Sequence, residues 1–275
     1  MNYYYLIAGL PDIKIEDNKL TYSIADFKKE ALPKLSAVDA RLFEMFYMKF
    51  DNQNLLHYLA GEGEKFDERG NMSKDELDDC LQLINNGSKP KNKNFPSYFV
   101  TLISEYKSAQ QPDTEAEKWE NRITELYYQW AMKCGNKLIS DWFEFNLNLN
   151  NILAAYTSRK YKMNVEVLGN NKVAELIKTS KQRDFGLSEI IEDADIFQRL
   201  ADESDLFERE KRIDLLKWQW LDEQAFFKYF SIEIIFAYLI KLEIIERWVS
   251  LDPVEGGKIF RELINSLKES VVNQK

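Results

Sequence analysis

Ser204–Ser250 reads SDLFEREKRIDLLKWQWLDEQAFFKYFSIEIIFAYLIKLEIIERWVS and contains neither glycine nor proline. These two residues end helices more often than any others, so the stretch predicts one very long helix or two nearly collinear ones. The whole chain of 275 residues has only 10 glycines and 6 prolines, about half the usual share. Tyr3–Ala8 and Asn164–Leu168 could be short extended segments, but neither can build a sheet. The sequence therefore predicts a single all-α domain over residues 1–275.

Several helix boundaries can be read from capping residues. Ser36 precedes apolar residues spaced three and four apart, and Ser73-Lys74-Asp75-Glu76 is a capping box in which the serine accepts from the third amide. The helix that follows Ser73 should stop at Asn86-Gly87, because glycine readily takes a left-handed conformation. Thr114-Glu115-Ala116-Glu117 is a second capping box. We expect a long helix after each of Ser36 and Thr114, and a shorter one after Ser73.

Composition argues against several classes of function. The chain has 37 basic and 46 acidic residues, a net charge of −9, which disfavours nucleic acid as a partner. One histidine, His57, and two distant cysteines, Cys80 and Cys134, cannot form a Cys/His zinc cluster. We therefore expect no metal, no cofactor and no small-molecule substrate. The acidic runs near residues 189–212 alternate with Lys and Arg, which is typical of a solvated helix face rather than of catalytic pairs.

Targeting signals are also weak. The start of the chain has no basic leader before its short apolar run, and the apolar region near Ile232–Ile245 is interrupted by Glu233, Lys241 and Glu243. No direct membrane span is predicted, and the expected location is the cytoplasm.

The chain contains an internal similarity. Phe50–Leu56 (FDNQNLL) resembles Leu147–Leu153 (LNLNNIL), so that Asp51 aligns with Asn148 at an offset of 97, and Asn54 with Asn151. Downstream, Gly70-Asn71 lies opposite Gly169-Asn170. A fainter third copy begins at Glu243 and includes Glu246, 95 residues after Asn151. The repeats span approximately residues 22–95, 113–185 and 200–270.

Each copy suggests a long helix, a polar residue that begins a second helix, a loop and a short covering helix. In this interpretation Asp51 and Asn148 cap the second helix by accepting hydrogen bonds from its free amides. Asn54 and Asn151, one turn later, tie that helix to its neighbour through side-chain amide bonds. Glu243 and Glu246 take the corresponding places in the third copy, followed by a loop at 252–257 and a helix at Phe260–Leu267.

With these three repeats, the chain resembles the C-subunit family of the V-type and A-type rotary ATPases, whose eukaryotic members carry the letter d. The segment Phe230–Trp248 (FSIEIIFAYLIKLEIIERW) is the most similar, since an aromatic-Ala-Tyr-Leu stretch precedes Glu-Ile. Phe50–Leu56 and Asn148–Tyr161 resemble the corresponding points of the first two repeats. Glu246 departs from the family pattern, which has an asparagine there, and the opening Tyr3–Pro11 is not the usual start.

The resemblance implies a fold and a mechanical function. Members of that family form a funnel of three helical units with pseudo-threefold symmetry. They receive the central stalk and sit on the membrane rotor ring at the inner, cytoplasmic face of the membrane, without catalytic residues. The resemblance thus implies a non-catalytic socket for ion transport, with stalk and ring subunits as partners. The alternative is a cytosolic helical scaffold or regulatory protein unrelated to rotary motors, and an enzyme is the less favoured third class.

Overall fold

The structure, a computed structural model, describes residues 3–15, 17, 20, 22–109 and 116–251. These residues form eleven α-helices and no strand, which confirms the all-α prediction. The helices are α1 (Tyr4–Ala8), α2 (Ile24–Ala31), α3 (Ala37–Leu59), α4 (Lys74–Asn85), α5 (Ser97–Ser108), α6 (Ala116–Ala131), α7 (Lys137–Tyr161), α8 (Lys172–Thr179), α9 (Asp195–Asp202), α10 (Leu206–Ala225) and α11 (Ile232–Ser250). Short 3₁₀ turns lie at Leu32–Lys34 and Leu187–Glu189.

The chain divides into two compact units. The terminal unit combines the two ends, Met1–Leu35 and Phe226–Lys275, and the central unit is Ser36–Ala225. The expected repeats 22–95 and 200–270 each cross one of these boundaries. Helices α3 to α10 therefore belong to the central unit, and α1, α2 and α11 belong to the terminal unit.

The central unit is organised around α7, which packs against α6, α8, α9 and α10. Its core includes Leu149 and Ile152 on α7, Leu187 in the 3₁₀ turn, and Phe197 and Leu200 on α9, all buried. Burying one such side chain stabilises the fold by roughly 1.5–3 kcal/mol. Aromatic rings extend this packing, and Trp220 of α10 stacks on Phe145 of α7 with centroids 5.0 Å apart.

The terminal unit is built by packing α2 against α11. The ring of Phe27 on α2 meets that of Tyr238 on α11 edge-on at 5.2 Å, and Phe27 is fully buried. Ser23 closes a capping box with Asp26 at the start of α2. Sequence position alone does not connect these two helices, which lie at opposite ends of the chain.

The capping predictions hold where the structure can test them. Ser36 accepts from the amide of Asp39 ahead of α3, and Ser73 and Glu76 form the predicted capping box ahead of α4. Gly87 follows α4 with φ of +72°, as predicted for its C-terminal end. Residues 114 and 115 of the second predicted capping box lie outside the described residues, and so does the predicted helix Phe260–Leu267.

The stretch Ser204–Ser250 forms two helices, α10 and α11, joined by Phe226–Ser231. The prediction of a single very long helix is therefore wrong, because α10 ends at Ala225 and α11 begins only at Ile232. Phe230 takes a left-handed conformation, φ 53°, which interrupts any helix and is rare for a bulky side chain. At the other end of the chain, Tyr4–Ala8 is helical rather than extended.

The proposed capping roles need a correction. Asp51 lies inside α3, Asn148 inside α7 and Glu243 inside α11, and each of these helices runs on without a break. No second helix begins at any of the three positions. A short polar residue before aliphatic ones is common at helix starts. Here Asp51 and Asn148 lie inside helices, and their side chains bind segments that precede α4 and α8.

None of the helices in the described ranges combines the length and the apolar character that crossing a membrane requires.

Candidate functional site

Asn54 anchors the loop between α3 and α4. Its Nδ2 donates to the carbonyl oxygen of Asp67 at 2.9 Å, and its Oδ1 accepts from the Asp67 amide at 2.7 Å. Asn54 is only 2% exposed, so its amide group depends on these two bonds to replace water. The Asn54 side chain on α3 thus binds both the N–H and the C=O group of Asp67.

Asn151 makes the same pair of bonds in the loop between α7 and α8. Its Nδ2 donates to the carbonyl oxygen of Leu168 at 2.8 Å, and its Oδ1 accepts from the Leu168 amide at 2.9 Å. Asn151 is also buried. The sequence interpretation placed Asn54 and Asn151 on a second helix bound to its neighbour, whereas each lies inside one continuous helix and binds the backbone of the loop that follows it.

Asp51 and Asn148 act one turn earlier on the same helices. The Asp51 carboxylate accepts from the amides of Asn71, at 2.8 and 3.0 Å, and of Met72, at 3.1 Å. Asn148 Oδ1 accepts from Nδ2 of Asn171, whose own Oδ1 caps α8 by accepting from Ala174. Asp51 thus binds the backbone just before α4, and Asn148 binds the residue that caps α8. Neither side chain caps the helix to which it belongs.

The third pair of sequence positions lies in the terminal unit. Glu246 Oε2 accepts from the amide of Ile24, the first residue of α2, at 2.7 Å. Glu243 lies one turn earlier on α11 and is half-buried. Glu246 therefore joins α11 to the start of α2. A carboxylate is favourable in this place because the N-terminus of a helix carries partial positive charge.

Two glycines in these loops are required for different reasons. A Cβ atom on Gly70 would overlap the Asp51 carboxylate, so the close approach of this backbone to α3 requires glycine. Gly169 has φ of +79°, a conformation that other residues rarely adopt. The sequence alignment of Gly70 with Gly169 thus pairs two loop positions that both favour glycine, the first for steric reasons and the second for its backbone conformation.

An open cleft of about 600 Å³ lies where α5 ends and α6 begins. Arg122 dominates its wall, since the guanidinium donates to both oxygens of Glu105 at 2.7 Å and to Glu125 at 2.7 Å. These bonds lower the pKa of Glu105 and raise that of Arg122. The guanidinium is therefore already paired within the protein, and the cluster serves as a link between α5 and α6.

The histidine and the two cysteines are candidates for covalent or acid–base chemistry, because these side chains most often serve as nucleophile or base. His57 Nδ1 donates to the carbonyl oxygen of Lys65 at 2.7 Å. Burial raises the pKa of the Cys80 thiol, helped by Glu76 and Asp79, and burial also raises that of Cys134, so thiolate formation is disfavoured at both. Within the part of the chain that the structure describes, His, Cys, Asp and Glu form no group of three or more that could hold a metal ion.

An exposed aromatic patch lies in the terminal unit. The amide of Tyr3 donates to the carbonyl oxygen of Phe230 at 2.7 Å, and the Tyr4 ring contacts the Phe230 ring at 4.8 Å. These contacts bring α1 beside the turn that precedes α11. We define the aromatic patch as the exposed side chains Tyr4, Tyr5, Phe226, Phe227 and Tyr229.

Reasoning from the sequence missed part of these sites. The loop partners Asp67 and Leu168 share no residue type, and only their backbone groups are bound, so no sequence signal marks them. The aromatic run Phe226–Phe230 was visible, but Tyr4 and Tyr5 are distant in sequence. The two tryptophans of α10 differ in exposure. Trp218 is buried, and Trp220 is half-buried against Phe145.

Comparison with protein-family models places the chain in a family. A family model described as "Protein of unknown function (DUF2764)" matches residues 1–271, nearly the whole chain. No curated protein and no solved structure matches the chain. The chain belongs to the DUF2764 family.

Proposed function

We propose that this DUF2764 protein is a non-catalytic central-stalk component of a V/A-type rotary ATPase, related to the C-subunit family. In this role it is a socket between the stalk and the membrane rotor ring, and it transmits the rotation that drives ion transport. Its partners are stalk and ring subunits, and its place is at the inner face of the membrane as part of that complex.

One observation carries this proposal. Asn54, Asn151 and Glu246 follow each other at intervals of 97 and 95 residues, and each side chain lies inside a long helix and holds a backbone amide. The amides belong to Asp67, ahead of α4, to Leu168, ahead of α8, and to Ile24, at the start of α2. A triplicated helical unit would produce this regularity, and the C-subunit family is the one that the sequence resembles in its three repeats.

The contact between Glu246 and Ile24 also concerns the position at which the sequence departs from the C-subunit family. Glu246 stands where the resemblance expects asparagine, yet its carboxylate accepts from a backbone amide as the two asparagine side chains do. Its partner segment comes from the other end of the chain, whereas those of Asn54 and Asn151 follow them directly. Under the proposal, the third unit is completed by the N-terminal segment, and three such units are related by pseudo-threefold symmetry.

The mechanical role fits the construction of the helices. Torque is transmitted best by elements that resist bending, and α3, α7 and α11 have 23, 25 and 19 residues without an internal glycine or proline. Loops pinned to these helices by paired side-chain bonds limit the ways in which each unit can deform. Buried aromatic side chains such as Tyr47, Phe43 and Phe99 supply the rigid core.

Affinity purification tests the proposal directly. The tagged chain, recovered from host membranes solubilised with a mild detergent, should bring stalk and ring subunits with it in near-equal amounts. Recovery of the chain alone as a monomer would contradict the rotary proposal and favour the alternative of a helical scaffold or regulatory protein.

A functional measurement distinguishes a socket from an accessory protein. Membrane vesicles from cells that lack the chain should lose ATP-driven ion uptake, while ATP hydrolysis by the catalytic head persists. Expression of the chain in trans should restore ion uptake. Unchanged ion uptake without the chain would contradict a coupling role.

A further inference from the structure

The aromatic patch is unusual because five exposed aromatic side chains occur in two short segments that contact each other through Tyr4 and Phe230. Tyr5 is 93% exposed, Phe227 78% and Tyr229 67%. Single exposed apolar side chains are ordinary, whereas contiguous exposed apolar surface marks sites of interaction with other molecules. The contacts from Tyr3 and Tyr4 to Phe230 assemble this surface from two distant segments, so it is a feature of the folded protein.

The chemistry of the patch is that of a membrane interface. Its five side chains are three tyrosines and two phenylalanines, and Lys228 lies among them, exposed, between Phe227 and Tyr229. Lys228 is the only charged residue in the two segments Tyr4–Tyr5 and Phe226–Phe230. Tyrosine combines an apolar ring with a polar hydroxyl, and lysine an apolar stem with a charged end, so both suit the boundary between acyl chains and headgroups.

We propose that the aromatic patch inserts into the headgroup region of a phospholipid bilayer. The two phenylalanine rings enter the acyl boundary, the tyrosine hydroxyls stay at headgroup level, and the Lys228 ammonium meets lipid phosphate. This inference goes beyond the proposed function, which concerns protein partners, and it holds whether or not the chain belongs to a rotary motor.

The charge of the whole chain predicts how this binding depends on lipid and salt. A net charge of −9 opposes attraction to anionic lipid surfaces, so ring insertion rather than electrostatic attraction must supply the affinity. Binding should therefore occur on zwitterionic vesicles and change little between low and physiological salt. Proteins held by clustered basic residues behave in the opposite way, since salt screens their attraction.

Co-sedimentation of the full chain with phosphatidylcholine vesicles tests the proposal. The patch variant Phe226→Ser/Phe227→Ser should bind at least tenfold more weakly than the wild type. The matched control is Leu206→Ser/Phe207→Ser, because these consecutive apolar residues on α10 are 65% and 58% exposed and lie in the central unit. The control should bind as the wild type does, and far-ultraviolet circular dichroism should show that both variants retain their helices.

Three results would overturn the proposal: no vesicle binding by the wild type, equal binding by the patch variant, or an equal loss of binding in the control. If the patch variant loses stalk or ring subunits during purification while the wild type ignores vesicles, the patch is a protein interface. If the rotary proposal alone is wrong, the results differ. Purification of the wild type then recovers no stalk or ring subunits, while the wild type still binds vesicles.

Discussion

At the residue scale, the clearest feature is the pair of asparagines that hold loop backbones. Each makes one donor and one acceptor bond to a single residue, Asn54 to Asp67 and Asn151 to Leu168. Because asparagine carries a donor and an acceptor side by side, it can replace both of the bonds that a backbone residue would find in a sheet. No other uncharged side chain of that length can do so.

Replacing either asparagine should therefore destabilise the fold. We expect Asn54→Ala and Asn151→Ala each to lower the free energy of unfolding by about 1–3 kcal/mol, because buried polar groups of the loop lose their partners. The measurement is urea-induced unfolding followed by circular dichroism. Gln53→Ala is the matched control, since Gln53 is exposed beside Asn54 on α3 and should change stability by less than about 0.5 kcal/mol. Equal effects at Gln53 and Asn54 would show that the loop bonds are unimportant.

Gly70 gives a second prediction at this scale. Gly70→Ala should lower the free energy of unfolding by roughly 1–3 kcal/mol, because the added Cβ displaces the Asp51 carboxylate and weakens its bonds to Asn71 and Met72. Gly63→Ala in the same loop is the control, since its Cβ would meet only the Tyr58 ring, at an ordinary 3.8 Å. Thermal unfolding compares the two variants, and similar melting temperatures would contradict the steric argument.

At the element scale, charged side chains join helices to one another. Arg122 on α6 bonds to Glu105 on α5, and both side chains are about one-third exposed. Because the folded-state pKa of Glu105 is lowered, its contribution to stability is present above the unfolded pKa and is lost as the pH falls through the lower folded value. Solvent screening keeps this contribution modest.

We therefore expect Arg122→Met to cost on the order of 1 kcal/mol at neutral pH, with the difference from wild type shrinking below about pH 4.5. Urea unfolding at several pH values measures this. Arg199→Met is the control, because Arg199 and Asp195 form an exposed pair, with 68% and 69% of their side chains accessible. A difference at Arg122 that stays constant down to pH 3 would contradict the role of Glu105.

Glu246 provides a second test of helix joining. Glu246→Ala should lower the stability of the α2–α11 pair by about 1 kcal/mol, because the amide of Ile24 loses its acceptor at a helix N-terminus. Glu246→Gln is the control, since it keeps the length and an acceptor oxygen and should retain most of the stability. Hydrogen exchange at the Ile24 amide follows the contact, and unchanged protection in the alanine variant would argue against it.

At the scale of the whole molecule, the chain consists of two units, one of which is made from its two ends. The central unit contains eight of the described helices and its own buried core around α7. A segment with its own core can in principle fold alone.

We expect residues 36–225, produced as a separate polypeptide, to be helical by circular dichroism and to unfold cooperatively in urea. A disordered product, or one that unfolds without a transition, would refute the independence of the central unit.

Much of the local structure could be predicted from the sequence. The all-α class follows from the scarcity of glycine and proline, and the starts of α3 and α4 follow from Ser36 and Ser73. These features depend on hydrogen bonds between residues three or four apart, so the signal lies within a few residues of its effect. The same local reasoning was wrong for Asp51 and Asn148, because their partners lie about twenty residues away.

What the order of residues determined by itself is the helical class, several helix ends and the spacing of Asn54, Asn151 and Glu246. The tertiary structure decided which groups these three side chains bind. It also decided that Tyr3 and Tyr4 lie against Phe230. The physical reason is the distance along the sequence over which each interaction acts. Capping and helix periodicity act along the chain, whereas these contacts join segments separated by up to 227 residues, between Tyr3 and Phe230, and only packing brings them together.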